Sequence, residues 1–285
     1  MQLNGKMKLL VTSRGSSGSW SIRGEQLGSA IGAVVQKNAS AVRGFDLAIL
    51  VKRSRADLLH RLRTVGVPIV WDIVDAWPQP DGNNWGRETC MSWLRQEVSE
   101  IKPVGLVAAT RAMVEDCKEF GVPVLCLPHH SRPDQRLNPI RDIVQAVGYE
   151  GSVGYLGYWK DALELECGKR DWRFLINPHS LSELDIVVAF RSMRGYAAQR
   201  WKSNVKLANA QGSGTPCIMN TESGYQETDR GGVFWLDEPN DLPIAFDCLS
   251  KRERRKQAAE KLFESRITIE DTAHRYSEWL HQLKF

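Results

Sequence analysis

Short runs of aliphatic and β-branched residues recur along the chain. Each is followed by a longer stretch in which apolar positions return every three or four residues. An unbroken apolar run suits a strand buried on both faces, and a 3.6-residue period suits a crossover helix, so the alternation predicts parallel sheets. In the first half, strands are predicted at 8–12, 46–51, 68–71, 104–109 and 122–127, with helices over 22–37, 55–64, 87–101 and 110–120. After Leu127 the chain reads PHHSRPDQRLNPIRD, and its prolines and polar residues have the character of an interdomain link. A second series follows, with strands at 152–157, 172–177, 185–190, 215–220 and 232–236 and helices over 201–211, 241–249, 251–263 and 269–283. The expected architecture is α/β, two Rossmann-like domains facing across a cleft between the carboxyl ends of their strands. The domains are drawn at 1–135 and 150–268, with 269–285 as a final helix. Its apolar positions Ile269, Ala273, Tyr276 and Leu280 give it one face to pack.

Composition narrows the class. A chain of 285 residues with 42% hydrophobic and 25% charged residues fills two modest cores, which excludes disordered, collagen-like and coiled-coil readings. Six scattered cysteines without a CxxC pair argue against a zinc site and for reduced thiols, hence a cytoplasmic protein, or one of the host cytoplasm if the source is viral. No apolar stretch is long enough to span a bilayer and no signal peptide is visible, so no membrane partner is expected. The net charge of +4 permits a polyanionic partner without requiring one. Ten tryptophans are many for this length. Trp20, Trp77, Trp85, Trp159 and Trp201 fall in segments read as loops, where indoles can stack on a sugar or a base.

Candidate chemistry gathers after the strands. The loop Gly15, Ser16, Ser17, Gly18 follows the first strand and feeds a helix; it either cradles a phosphate or sugar hydroxyl on backbone N–H groups or simply turns the chain. After the third strand come Asp72, Asp75 and Asp81. A carboxylate there can orient an acceptor hydroxyl or take its proton, with Asp75 the preferred group, or it can cap a turn. Trp77 and Trp85 lie in the same loop as candidate acceptor stackers. His129 and His130 are adjacent, so they point to opposite sides of an extended chain and cannot share a metal; His129 is taken to face the acceptor. Segment 200–227 places Arg200, Lys202 and Lys206 near a helix N-terminus with Ser203 and Asn204 between them, a setting for an anion such as a diphosphate. Arg191 and Arg194 precede it in a loop that can add a cation. The run 251–256, KRERRK, reads either as a solvated helix face or as a contact for a phosphate-rich surface.

The order K-S-N-x-K, then N-A-x-x-x-G-T-P-C-I, then S-G-Y-Q-E resembles the donor-site signature of retaining, GT-B-fold glycosyltransferases of the glycogen synthase and sucrose synthase superfamily. The resemblance implies that Lys202 and Lys206 meet the donor diphosphate, that Asn209 and Gly214 lie by the nucleotide, and that Gly224 and Glu227 belong to a closing loop. It also implies that the glycine loop at 15–18 and the strand in VGYLGYWK (153–160) take the family's positions, and that the last helix crosses back to the first domain. The chain departs from the pattern where the family carries two glutamates, since Trp201 and Asn209 stand there. The match is good over roughly 150–230 and holds only in general layout before that.

Taken together, the expected activity is transfer of a sugar from a nucleotide-diphosphate sugar, a co-substrate, to a hydroxyl acceptor, with no metal and no resident cofactor. Acceptors considered are a hydroxymethylated base in DNA, as in DNA-modifying enzymes of bacterial viruses, a saccharide precursor and a small metabolite. The alternative is a nucleotide-sugar-binding module without turnover. A dinucleotide oxidoreductase is the least favoured reading, because no GxGxxG with a downstream acid follows the first strand. Sequence leaves the sugar, the nucleotide, the stereochemical outcome and the oligomeric state open.

Overall fold

The computed structural model describes residues 7–15, 17–192 and 194–284, so Ser16 of the glycine loop lies outside the described residues. Six strands, β1 (Leu9–Thr12), β2 (Val34–Val35), β3 (Leu47–Val51), β4 (Ile69–Asp72), β5 (Gly105–Ala108) and β6 (Val124–Cys126), form one parallel sheet in the order β2-β1-β3-β4-β5-β6. Alternate residues serve opposite faces. Leu10, Ala48, Leu50 and Trp71 pack one way, and Leu9, Val11, Ile49 and Val70 the other. A helical segment over Trp20–Gln26, wound with π pitch, runs into α1 (Leu27–Ala30) on the second face. The first face is covered by α2 (Ala56–Val65), α3 (Arg87–Ile101) and α4 (Arg111–Cys117).

The second sheet joins β7 (Ala146–Tyr149), β8 (Arg173–Ile176), β9 (Ile186–Ala189), β10 (Cys217–Met219) and β11 (Val233–Trp235) in the order β11-β10-β9-β7-β8, again all parallel. The helices of this half of the chain are α5 (Trp159–Gly168), α6 (Tyr196–Arg200), α7 (Val205–Ser213), α8 (Ser223–Thr228), α9 (Leu242–Ser250), α10 (Arg252–Glu264) and α11 (Ile269–Gln282). In each sheet the strand order reverses once, between β1 and β3 and between β7 and β9, and a crevice opens at such a point beyond the carboxyl ends.

Two assignments move. The helix predicted over 22–37 ends at Ala30, because Gly32 takes φ 72° and Val34–Val35 pairs with β1 as an edge strand. The strand predicted at 152–157 is instead a 3-10 turn over Val153–Tyr155, and the opening strand of the second sheet is the earlier VGY copy, Val147–Tyr149 with Ala146. Gly151 at φ 132° and Gly157 at φ 54° bracket the later copy and break any extension.

The halves are interleaved by more than one link. Ser131 N–H donates to the Ile267 carbonyl at 2.9 Å, so the outgoing and returning chains run side by side. Beyond that crossing α11 lays Ala273, Tyr276 and Leu280 on the first sheet, with Trp279 against Gly105. In turn α6 and Trp201 enter the first domain's core, where Ala197 and Trp201 join the cluster around Trp71 and Trp77. No helix among the described residues is long and apolar enough to cross a membrane.

Candidate functional site

Asp75 stands at the centre of the cleft. It leaves β4 after Val74, which holds the left-handed φ of 52°, and it faces Lys52, at φ 63° just beyond β3. For a β-branched residue such backbone costs about 1–3 kcal/mol, and it aims Asp75 into the cleft. The carboxylate is bound by two ammonium groups, Lys52 Nζ at 2.6 Å and, from the opposite domain, Lys202 Nζ at 2.6 Å. Burial pushes this carboxyl up, but Lys202 and then Lys52 outweigh it and hold it well below the usual carboxylate range. Paired in this way Asp75 is the counterion of both lysines. Gln79 completes the contact: its Nε2 donates to the Asp75 carbonyl at 3.2 Å, and its Oε1 accepts from Tyr155 OH at 2.8 Å and Lys202 Nζ at 3.3 Å. Asp72, three residues earlier at the end of β4, lies behind the cleft in a buried pair with Arg23 at 3.7 Å.

On the second-domain wall, Arg191 follows β9 and Lys206 sits in the first turn of α7, so both border the β7/β9 crevice. Arg191 Nε donates to Glu222 Oε1 at 2.7 Å, and its own backbone N–H is fixed by Asn220 Oδ1. Burial lowers the Arg191 pKa, but Glu222 together with Tyr225 and Tyr149 outweighs it, so the guanidinium stays charged. Lys206 differs. Its Nζ is buried with no hydrogen-bond acceptor and rests 3.8 Å above the Tyr149 ring. Burial first, then the like charge of Arg191, pull its pKa well below the ordinary lysine value. Lys202 is lowered in the same direction by burial, against the pull of Asp75. Further along α7, Asn209 Nδ2 donates to Glu150 Oε2 at 2.9 Å while its Oδ1 is buried and unpartnered.

Of the residues named from sequence, Asp75, Arg191, Lys202 and Lys206 converge, with Asn209 on the same helix as Lys206. Gly15 lies in the turn after β1, and Ser17 and Gly18, where the helical segment begins, are exposed; Gly15 and Ser17 border a hollow of about 390 Å³ shared with Lys52. Others are employed in holding the fold. Trp77 is 0% exposed and packs edge-on to Trp201, so it cannot stack on a ligand. Trp85 is half-buried against the same core, and Trp20, Trp159 and Trp201 are buried as well. Asn204 staples α7 to the link, accepting from His129 N–H at 2.7 Å and donating to the His129 carbonyl at 3.1 Å. Ser203 is buried beside it. His129 is buried and neutral, its pKa lowered first by burial and then by Arg23. Glu227 accepts from the N–H groups of Arg111, at 2.7 Å, and Ala112, at 3.3 Å, and so caps α4 of the other domain. Arg194 reaches away to the Asp237 carbonyl at 2.8 Å. Gly214 ends α7 at φ 60°, and a side chain at Gly224 would strike the Lys202 carbonyl at 2.4 Å.

Lys52, Gln79, Tyr155, Glu150 and Glu222 belong to the site without having been named from sequence. One signal pointed to Lys52, which directly follows a predicted strand at the end where such clefts open. Among the described residues no three His, Cys, Asp or Glu side chains are grouped to hold a metal ion.

No protein-family model matches the sequence, and no curated protein matches it. Solved structures do. A sucrose-phosphate synthase from Thermosynechococcus elongatus superposes with a TM-score of 0.60 at 11% identity, over 98% of this chain and 99% of that one. The apo form of the lipopolysaccharide outer core galactosyltransferase WaaB gives 0.56 at 9% identity over 96% and 100%. MurG from Acinetobacter baumannii gives 0.51 at 11% identity over 97% and 100%. Likeness at this level of identity is one of fold, and the fold is GT-B: two Rossmann-like domains facing each other across a cleft.

Proposed function

We propose that the protein is a glycosyltransferase that moves a sugar from a nucleotide-diphosphate sugar to a hydroxyl acceptor. The observation that carries this reading is the buried Lys206 ammonium, left without an acceptor beside Arg191 and Lys202 at the strand-order reversal of the second sheet. A diphosphate would supply the missing oxygens. Preorganised cations in a site sheltered from water stabilise the charge that builds on a departing diphosphate, with no reorganisation at the moment of reaction. Lys202 has a second partner to leave: as it turns from Asp75 to the diphosphate, Asp75 keeps only Lys52 and becomes a better acceptor of a hydroxyl hydrogen bond. Asn209 and Glu150 lie where a nucleoside's hydroxyls can be bound. Retention of configuration fits a departing phosphate that itself assists the incoming hydroxyl, since no side chain is then needed as nucleophile.

A DNA base as acceptor drew in part on loop tryptophans, and that part of its support is lost with Trp20, Trp77, Trp159 and Trp201 buried. The second reading, a binding module without turnover, draws on Trp201, which occupies the family's first glutamate position but lies in the first domain's core. Calorimetric titration with UDP, GDP and ADP tests the donor site: one should bind, and Lys206→Met should weaken it about a hundredfold. No binding, or equal binding by the variant, overturns the assignment. Slow hydrolysis of the matching nucleotide sugar then separates the enzyme from the module, which would bind without consuming it.

A further inference from the structure

A cavity of about 490 Å³ opens in the first domain, between the loops that leave β1, β3 and β4 and the helices α2 and α3. Gln79 lines it and also touches Asp75, Lys202 and Tyr155, so this cavity and the cationic cluster share one side chain as a wall. Three arginines face it. Arg53 is held as a fixed plate, Nε on the Ala76 carbonyl at 3.0 Å and Nη2 on the Trp77 carbonyl at 2.8 Å. Arg14 and Arg63 are exposed, and among the described residues neither side chain has an ion pair or hydrogen bond. Across from them Trp93 presents part of its ring, and Glu97 and Glu100 bring two carboxylates. Glu97 is half-buried, and burial followed by the charge of Glu100 raises its pKa.

From this arrangement we propose that the cavity binds a phosphate-bearing polyol, such as a sugar monophosphate, as the acceptor. Two unpaired guanidinium forks and a third already oriented match the several oxygens of one phosphate monoester. Trp93 offers an apolar surface to a sugar ring, and Glu97 accepts from its hydroxyls. The volume lies in the range of small-molecule pockets. A nucleic acid fits less well, because its continuous backbone charge would meet Glu97 and Glu100 on the opposite wall. The acceptor role rests on the transferase reading proposed above; the binding itself does not.

The test is calorimetry on the full chain with glucose 6-phosphate, fructose 6-phosphate and glycerol 3-phosphate, each against its unphosphorylated parent, and with a short single-stranded oligonucleotide. At least one phosphate should bind ten times or more tightly than its parent. The double variant Arg14→Ala/Arg63→Ala should lose that margin while its melting temperature and nucleoside-diphosphate affinity stay unchanged. The proposal is overturned if no phosphate binds, if phosphates and parents bind alike, if the double variant binds as before, or if the oligonucleotide displaces the sugar phosphate. Parallel loss of nucleoside-diphosphate affinity also overturns it, by assigning these arginines to the donor. If the unmutated protein binds a sugar phosphate but no nucleoside diphosphate, the donor reading fails and the cavity assignment stands.

Discussion

Arg191, Lys202 and the ammonium group of Lys206 on the second-domain wall are buried, while Arg14, Arg53 and Arg63 on the first-domain wall are exposed to water. The set is fixed by Glu222, Asp75 and packing on Tyr149, and it destabilises the empty protein because the desolvated Lys206 ammonium lacks a partner. The exposed set carries little such burden. A wall that stores unfavourable burial suits a ligand group that never varies, whereas a solvated wall suits one recognised by a few adjustable contacts. That division matches a constant diphosphate on one side and an acceptor on the other.

The sharpest way to break this contrast is Asp75→Asn, which leaves the buried Lys202 and the half-buried Lys52 without their counterion. Removing one member of a buried pair should cost about 3 kcal/mol, on the order of 6–12 °C in melting temperature. Because the Asp75 pKa is lowered on folding, its contribution is present above about pH 4 and is lost as pH falls below that. The melting temperature of the unmutated protein should therefore converge on that of the variant in acid. A bound nucleoside diphosphate should stabilise the variant more than the unmutated protein, and an equal thermal shift would refute the counterion role.

Next in size is Lys206→Met. Nucleoside-diphosphate affinity should fall about a hundredfold, the equivalent of roughly 2–3 kcal/mol for a charge-assisted hydrogen bond. The empty variant should melt a few degrees higher. In the window from the lowered lysine pKa up to about 10.4 the folded chain binds fewer protons than the unfolded chain, so the unmutated protein gains stability as pH rises through it. The variant should show no such gain, and calorimetric melting across pH checks both points.

A smaller effect separates two roles for Glu227. As a cap of α4 its loss in Glu227→Ala should cost about 1 kcal/mol and leave nucleotide affinity intact. A tenfold loss of affinity at unchanged melting temperature would return it to the nucleotide site. The smallest effect is expected on the outer face of α10, where Arg254→Glu should change stability by less than about 0.5 kcal/mol and leave nucleotide binding alone.

Much of the fold was legible because buried parallel strands write themselves as continuous apolar runs, as in LAILV of β3. Two copies of VGY six residues apart defeated the pattern, since only the flanking glycines decide which copy extends. The site was legible on its second-domain side, where Lys202 and Lys206 lie close together in sequence. It was not legible across the cleft, because the Lys202–Asp75 contact joins positions 127 residues apart and Lys52 reaches the same carboxylate from a third segment. Trp77 and Trp201 misled for a related reason: each sits in a polar stretch, and only the docking of α6 into the other half buries them together. The basic run in α10 likewise hides a structural member, Arg255, which is buried and donates to the carbonyls of Leu249, Ser250 and Arg141.

The docking of α11 on the first sheet bears on how the chain is made. A ribosome delivers β1 to β6 first, yet the face formed by Leu9, Val11, Ile49 and Val70 waits for Ala273, Tyr276 and Leu280, which are among the last described residues to emerge. Until then the nascent first domain exposes an apolar groove about one helix long. At synthesis rates of about 5–20 residues per second that exposure lasts on the order of ten seconds or more. Chaperone capture during translation should therefore fall on the first half of the chain, and a truncation before α11 should aggregate through that groove even though every strand of both sheets is present.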